Sequence, residues 1–287
     1  MSEWICKGVL DLLKFTVSIY NNLTGTAAGI LAQDPTAWNA EGWAFVKTVN
    51  QLFLGIGGVL TVIFFLIGFC ADSIDIKQDL RIENILRMLL KLSVAEFFVV
   101  NSLKIVSALF GLGTGIIGKL QGGGTVSYTV PAEVETILTA PGEHEMTGMM
   151  GTVQALLIFI TAIIFLLMIA GGGMMILLEA YQRFLKILLL VPYGTLANST
   201  LAGNHMLSHS AESFWKYALC TILEAVTMYL ALRLSASVVG SGSIGLAGDQ
   251  TGAMYVLGWM LESTFVCLLT LGLVKGAQTI TQRALGL

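Results

Sequence analysis

Between Val49 and Ala71 the chain carries no Asp, Glu, Lys or Arg, and the run is long enough to cross the hydrocarbon core of a bilayer, which takes about 20 apolar residues. Thr147 to Leu178 repeats the pattern. Water offers no fold in which two such runs can be hidden alongside so little charge. Only 11% of the 287 residues are charged, against about 25% in an ordinary soluble domain, and mean hydropathy is +0.82. The chain is therefore read as an all-α, polytopic membrane protein. Three more segments are of membrane length but carry ions: Arg87 to Gly118, Phe214 to Val239 and Met254 to Lys275. Five spans follow, at about 49–71, 87–118, 147–178, 214–239 and 254–275. The organisation expected is an N-terminal segment over 1–43 and a membrane domain over 44–287. The start, "MSEWICKGVLDLLKF", breaks its apolar run with Lys7, Asp11 and Lys14 and offers no small-residue cleavage site, so insertion is expected to rely on the mature helices.

Lysine and arginine in short loops mark the cytoplasmic side. Lys77, Arg81, Arg87 and Lys91 place the loop before the second span in the cytoplasm. The next loop has Glu133, Glu135, Glu143 and Glu145 against Lys119 and faces outward. Arg183 and Lys186 are then expected to bring the chain back to the cytoplasm. A full crossing by 184–203 would leave Lys216, Lys275 and Arg283 outside, so that segment is expected to be a re-entrant hairpin broken at Pro192, where a backbone donor is missing. The N-terminus is then outside and the C-terminus cytoplasmic. Lys7, Asp11, Lys14, Ser18, Asn22 and Gly25 share one helical face, while Val9, Leu12, Leu13, Ile19, Tyr20 and Leu23 cover the other. That pattern predicts an amphipathic helix, lying either at the membrane interface or against neighbouring helices. Trp4, Trp38 and Trp43 suit the outer headgroup level.

The second span is the most informative for function. Ser93, Glu96, Lys104, Ser107, Gly111, Thr114 and Gly118 fall within roughly 80° of one another on a helical wheel. An ion in hydrocarbon costs at least about 2.5–3.5 kcal/mol, so this face is expected to turn toward protein or a water-filled cavity. Glu224 sits on a comparable face, and Glu262 stands more alone. These groups either line an aqueous path or pair with one another to hold the bundle, for instance Glu224 or Glu262 with Lys104 on a neighbouring helix or subunit. Lys77, Arg81, Arg87 and Lys91 would form a basic cytoplasmic entrance to such a path, or serve only to set topology.

Other patterns carry less. Gly113, Gly115 and Gly118 have dinucleotide-fingerprint spacing but end a membrane helix, and Gly111 with Gly115 suits close helix packing. His205, His209 and Glu212 share a helical face that is a weak candidate for a divalent metal, but the pattern lacks the glutamate of metalloprotease helices. No nucleophile constellation or phosphate loop occurs, so neither catalysis nor a cofactor is expected. The net charge of -3 gives no footprint for tight nucleic-acid binding.

The segments "RIENILRMLLKLSVAEFFVVNSLKIVSALFGLG", "LEAYQRFLKILLLVPYGTLANST" and "VCLLTLGLVKGAQTITQRALGL", in that order, resemble the TrbL/VirB-six family of conjugative type IV secretion systems, in the form found in Gram-positive mobile elements. The resemblance runs over nearly the whole chain after about Trp43 and implies five spans. It implies a homo-oligomeric ring in the cytoplasmic membrane that helps move single-stranded DNA with its attached relaxase, or helps assemble the apparatus, alongside partner ATPases. The outward loop is short and neither end carries a soluble extension, which fits a cell with a single membrane. Two other readings stay open: a small-solute or ion transporter using Glu96, Glu224 and Glu262, and an assembly factor without a pore. The transporter reading expects paired internal repeats, and the sequence has none.

Overall fold

The computed structural model describes residues 2–74, 82–121, 128–140, 148–240, 245 and 251–286. Among them the regular structure is helical: α1 (Ser2–Ala32), α2 (Pro35–Trp38), α3 (Ala40–Ile74), α4 (Ile82–Gln121), α5 (Ala132–Thr139), α6 (Gly148–Ser199), a 3-10 turn (Thr200–Ala202), α7 (His205–Gly240) and α8 (Ala253–Ala284). Helix starts are set by side-chain acceptors. Asp34 Oδ1 takes the Thr36 amide at 2.9 Å with Pro35 in the first position, Asn39 Oδ1 takes the Gly42 amide at 2.8 Å, and Asn204 Oδ1 takes the Leu207 amide at 3.2 Å. Five helical stretches have the length and apolarity of membrane spans: Ala40–Ala71, Ile85–Gln121, Gly151–Ala202, Leu207–Ser235 and Ala253–Ala284. Their number matches the five expected from composition, with the third running on through 184–203 to Ala202.

The chain divides into two compact units. The first comprises 1–31, 120–181 and 227–277. Its core joins Cys6, Val9, Leu13 and Val17 of α1 to Ile137 and Leu138 of α5, Ile158 and Phe165 of α6, and Trp259 and Met260 of α8. The apolar face of α1 is thus covered by protein, while Lys7, Asp11, Lys14, Ser18, Asn22 and Gly25 stay exposed. The Asn21 amide grips the backbone of Tyr128 in both directions: Nδ2 donates to its carbonyl at 2.8 Å, and Oδ1 accepts its amide at 2.9 Å. Lys14 pairs with Glu135 at 2.7 Å across exposed surface.

The second unit comprises 32–119, 182–226 and 278–287. Trp43 and Val46 of α3, Val106 and Phe110 of α4, Ile187 and Val191 of α6, and Phe214, Ala218 and Ile222 of α7 share one core. The late part of α6 runs beside α3 in the same direction. Phe184 stacks on Trp38 with ring centroids 5.0 Å apart, and Tyr193 meets Phe53 at 5.6 Å. Further along, a Cβ built on Gly68 would lie 3.3 Å from the Gly203 carbonyl carbon. α7 then returns antiparallel, with Trp215 bonding Asn198 near the turn and the Thr221 carbonyl accepting from Arg183 farther from it.

This corrects the expectation for 184–203. The segment does not break at Pro192 or turn back midway; it follows α3 from Trp38 to Gly68, and the chain reverses at Thr200–Asn204. Proline deprives the Leu188 carbonyl of its helical donor, yet a helix survives such a loss where neighbouring helices cover it. Pro192 is buried, and the Thr195 hydroxyl donates to the Pro192 carbonyl at 2.8 Å. The hydroxyls of Ser199 and Thr200 likewise fold onto carbonyls one turn back, at 2.6 and 2.7 Å. Uninterrupted, α6 has 52 residues.

Where the late part of α6 meets α4 and α7, side chains leave no room. A Cβ at Gly194 would collide with Ser102 Oγ and come within 3.0 Å of the Phe214 ring. We predict that Gly194→Ala lowers the melting temperature of the purified protein, at a cost of about 1–3 kcal/mol. Gly55→Ala, where a Cβ meets nothing within 4 Å, should leave it unchanged.

Candidate functional site: an ion cluster and an outward polar stripe

α4 buries one seam and shows another. Ala95, Val99, Ser102, Val106, Phe110, Gly113 and Ile117 are buried at helical spacing against the rest of the unit. On the opposite side Ser93, Glu96, Lys104, Gly111, Gly115 and Gly118 are exposed, with Ser107 and Thr114 half-buried. The stripe read from the sequence is real as a grouping, but the chain turns it away from its own core. Its hydroxyls are satisfied within α4: Ser93 donates to the Leu89 carbonyl at 3.0 Å, Ser107 to the Lys104 carbonyl at 2.9 Å and Thr114 to the Phe110 carbonyl at 3.2 Å. Among the described residues, Glu96 and Lys104 have neither an ion pair nor a side-chain hydrogen bond. They are the unsatisfied members of the stripe.

Glu224 has a different partner from the one expected. Its carboxylate is buried and lies 3.7 Å from Lys186 Nζ, not against Lys104. Lys186 also donates to Gln278 Oε1 at 2.9 Å. Beside it the buried Arg183 donates from Nε to the Thr221 carbonyl at 3.2 Å and from Nη2 to the Ile222 carbonyl at 3.4 Å, within the field of Glu224. One cluster thereby ties α6, α7 and the last turns of α8. This revises the reading of Arg183 and Lys186 as cations returning the chain to the cytoplasm. They sit inside α6, at the end of the unit marked by Trp38 and Trp43, opposite Lys91 and Gly68. The charge rule counts cations in aqueous loops, and a guanidinium held by helix carbonyls is not one.

The proposed basic entrance divides. Lys77 and Arg81 lie outside the described residues, and Arg87 is exposed on α4. Lys91 reaches over to donate to the Gly203 carbonyl, placing its ammonium at the electronegative end of α6, where the chain turns into α7. It clasps a turn. The histidine set does not gather: His209 meets Ser213 at 3.3 Å, Glu212 pairs with Lys216 at 2.8 Å, and the His205 side chain lies outside the described residues. Among the described residues no three His, Cys, Asp or Glu side chains are grouped to hold a metal ion.

Two clamps went unread in the sequence. Asn198, fully buried, donates to the Phe98 carbonyl at 3.1 Å and accepts from Trp215 Nε1 at 2.8 Å, joining α4, α6 and α7. Its signal was present, as an amide in the apolar run that follows Lys186. The Asn21–Tyr128 clamp had none, because its partners are 107 residues apart. The Tyr128 hydroxyl donates to Ser263; burial, with the charge of Glu262 adding to it, pushes the phenol up to about 12, so it stays a donor. Glu262 itself is half-buried and among the described residues makes no ion pair.

Five helices of this length and apolarity define a multi-pass membrane protein. Residues 20–195, more than half of the chain, match the family described as TrbL/VirB6 plasmid conjugal transfer like protein, and the chain belongs to that family. Comparison with curated proteins and with solved structures finds no match.

Removing Lys186 takes from the buried Glu224 the ammonium it pairs with. Lys186→Met is expected to destabilise the protein by roughly 1–3 kcal/mol, the partial exposure of Lys186 moderating the larger cost of a fully buried pair. Lys104→Met should shift the melting temperature far less, since among the described residues Lys104 pairs with no carboxylate. Equal shifts would contradict this assignment.

Proposed function

We propose that this protein is a non-enzymatic membrane subunit of a conjugative type IV secretion apparatus. Several copies form a ring in the cytoplasmic membrane and assist the passage of single-stranded DNA with its attached relaxase, driven by partner ATPases. In each copy the α6–α7 turn lies on the cytoplasmic side, and the stripe of Ser93, Glu96, Lys104 and Ser107 faces the ring axis. The observation that carries this reading is the direction of that stripe. A carboxylate and an ammonium in mid-span, turned away from their own bundle and lacking partners there, call for water or another protein where lipid would otherwise lie. The family supplies the machine in which such a path has a use. A secondary transporter is supported less well, because Glu224, one of the carboxylates it would use, is already committed to Lys186.

Conjugation assays test the stripe. Glu96→Leu combined with Lys104→Leu removes its ions without touching the buried seam, and transfer frequency should fall roughly tenfold or more while membrane abundance is unchanged. Undiminished transfer would remove the stripe from the path. Orientation is tested separately. The α6–α7 turn lies against Gly68 and Lys91, at the end of the unit assigned to the cytoplasm, so Ser210→Cys in a Cys70→Ser background should react with an impermeant maleimide only after the cells are opened. Reaction in intact cells would invert the topology.

A further inference from the structure

Among the described residues two buried side-chain polar atoms have no hydrogen-bond partner, Asn50 Oδ1 on α3 and Ser102 Oγ on α4. The first lies opposite the α6 carbonyl that Pro192 deprives of its helical donor. We propose that the Asn50 amide braces α6: it turns its Nδ2 inward, donates to the Leu188 carbonyl and so closes the gap that Pro192 opens.

The register of α3 on α6 brings the two groups together. The late part of α6 runs in the same direction as α3, and at Gly57 the two helices touch: a Cβ built there would lie 3.3 Å from the Thr195 carbonyl oxygen. Asn50 precedes Gly57 by seven residues, and Leu188 precedes Thr195 by seven. Seven residues are about two turns, or ~10.5 Å, on each helix, so the contact recurs with Asn50 in the place of Gly57 and the Leu188 carbonyl in the place of that of Thr195. Aromatic contacts on either side keep the same register, Phe184 on Trp38 before it and Tyr193 on Phe53 after it. Both Asn50 and Leu188 are buried.

Hydrogen-bond chemistry then decides which end of the amide points inward. An oxygen there needs a donor, and a helix past its first turn offers none, because each backbone N–H is bonded to the carbonyl four residues back. The side chains of this core around Val46, Leu188 and Val191 are apolar. An acceptor in need is present instead. Pro192 has no N–H for the Leu188 carbonyl, and the Thr195 hydroxyl bonds the Pro192 carbonyl, one turn on. A half-turn about the Cβ–Cγ bond exchanges the amide oxygen for its nitrogen without changing the space the side chain fills. The resulting bond satisfies two buried groups together, each costly to leave unmet away from water. Asn198 acts in the same manner nearby, its Nδ2 reaching across to the Phe98 carbonyl at 3.1 Å. Asn50 is thus a positioning residue that keeps α6 continuous through Pro192, so that Gly194 and Asn198 arrive opposite α4.

The test is a double-mutant cycle on the full-length protein in mild detergent, read as melting temperature. Asn50→Leu removes the donor at nearly constant size. In the otherwise unaltered chain it should lower the melting temperature by roughly 2–8 °C, because the Leu188 carbonyl is left bare. In a Pro192→Ala background the backbone N–H regained at position 192 serves that carbonyl, and the same substitution should leave the melting temperature unchanged or raise it. A rise or no change in the unaltered chain overturns the proposal, since exchanging an unpartnered amide for an apolar side chain does not destabilise a core. An equal fall in both backgrounds overturns it too, because Asn50 would then matter for a reason other than the proline gap. If Asn50→Leu alone does not fold, recovery of folded protein on adding Pro192→Ala supports the brace, and failure in both backgrounds overturns it.

Discussion

An ion inside a bilayer protein is tolerated only when something other than lipid surrounds it, and the second unit is organised by that requirement. Arg183, Lys186 and Glu224 cannot be solvated by acyl chains, so α6 and α7 must lie where each can supply the other's missing partner. Greasy packing alone specifies little in such an environment, because a leucine is as content against lipid as against another leucine. The cluster selects one register of α6 on α7, and Asn198 repeats the selection nearer the turn by engaging α4 and α7 together. Between these two anchors the apolar core has a single arrangement to fill.

The same requirement explains how polar groups are distributed elsewhere. Serine and threonine hydroxyls along α3, α4, α6, α7 and α8 repeatedly bond the carbonyl three or four residues back, which lets a polar side chain stand in a span at little cost. Carboxylates and ammonium groups have no such local remedy. Glu224 is therefore informative about stability and Glu96 about assembly. One found its counter-ion within the chain, and the other faces outward.

The spans and the grouping of α4 residues were legible in the sequence because length, apolarity and helical periodicity are local properties. The direction of the α4 stripe was not, since periodicity fixes which residues share a face and says nothing of what that face meets. Pro192 misled for a related reason. Its missing donor weakens an isolated helix, but Pro192 is buried among neighbouring helices, and there the helix continues past it. Arg183 and Lys186 looked like loop cations because the apolar runs on either side of them are each of membrane length, and only the continuity of α6 shows that no loop separates them. The pairing of Glu224 with Lys186 was not legible, because partner choice depends on which helices adjoin, which spacing along one chain does not reveal.

The clasp of Lys91 on Gly203 bears on how this turn can evolve. An ammonium that grips a main-chain oxygen recognises the path of the backbone and is indifferent to the side chains it carries. Thr200 and Leu201 are then free to drift, provided the path is kept. Gly203 is not, since a methyl group there would press within 2.9 Å of Leu207 Cβ. Across diverging descendants, the fingerprint of this corner would be a lone glycine and a distant lysine, lost or retained together.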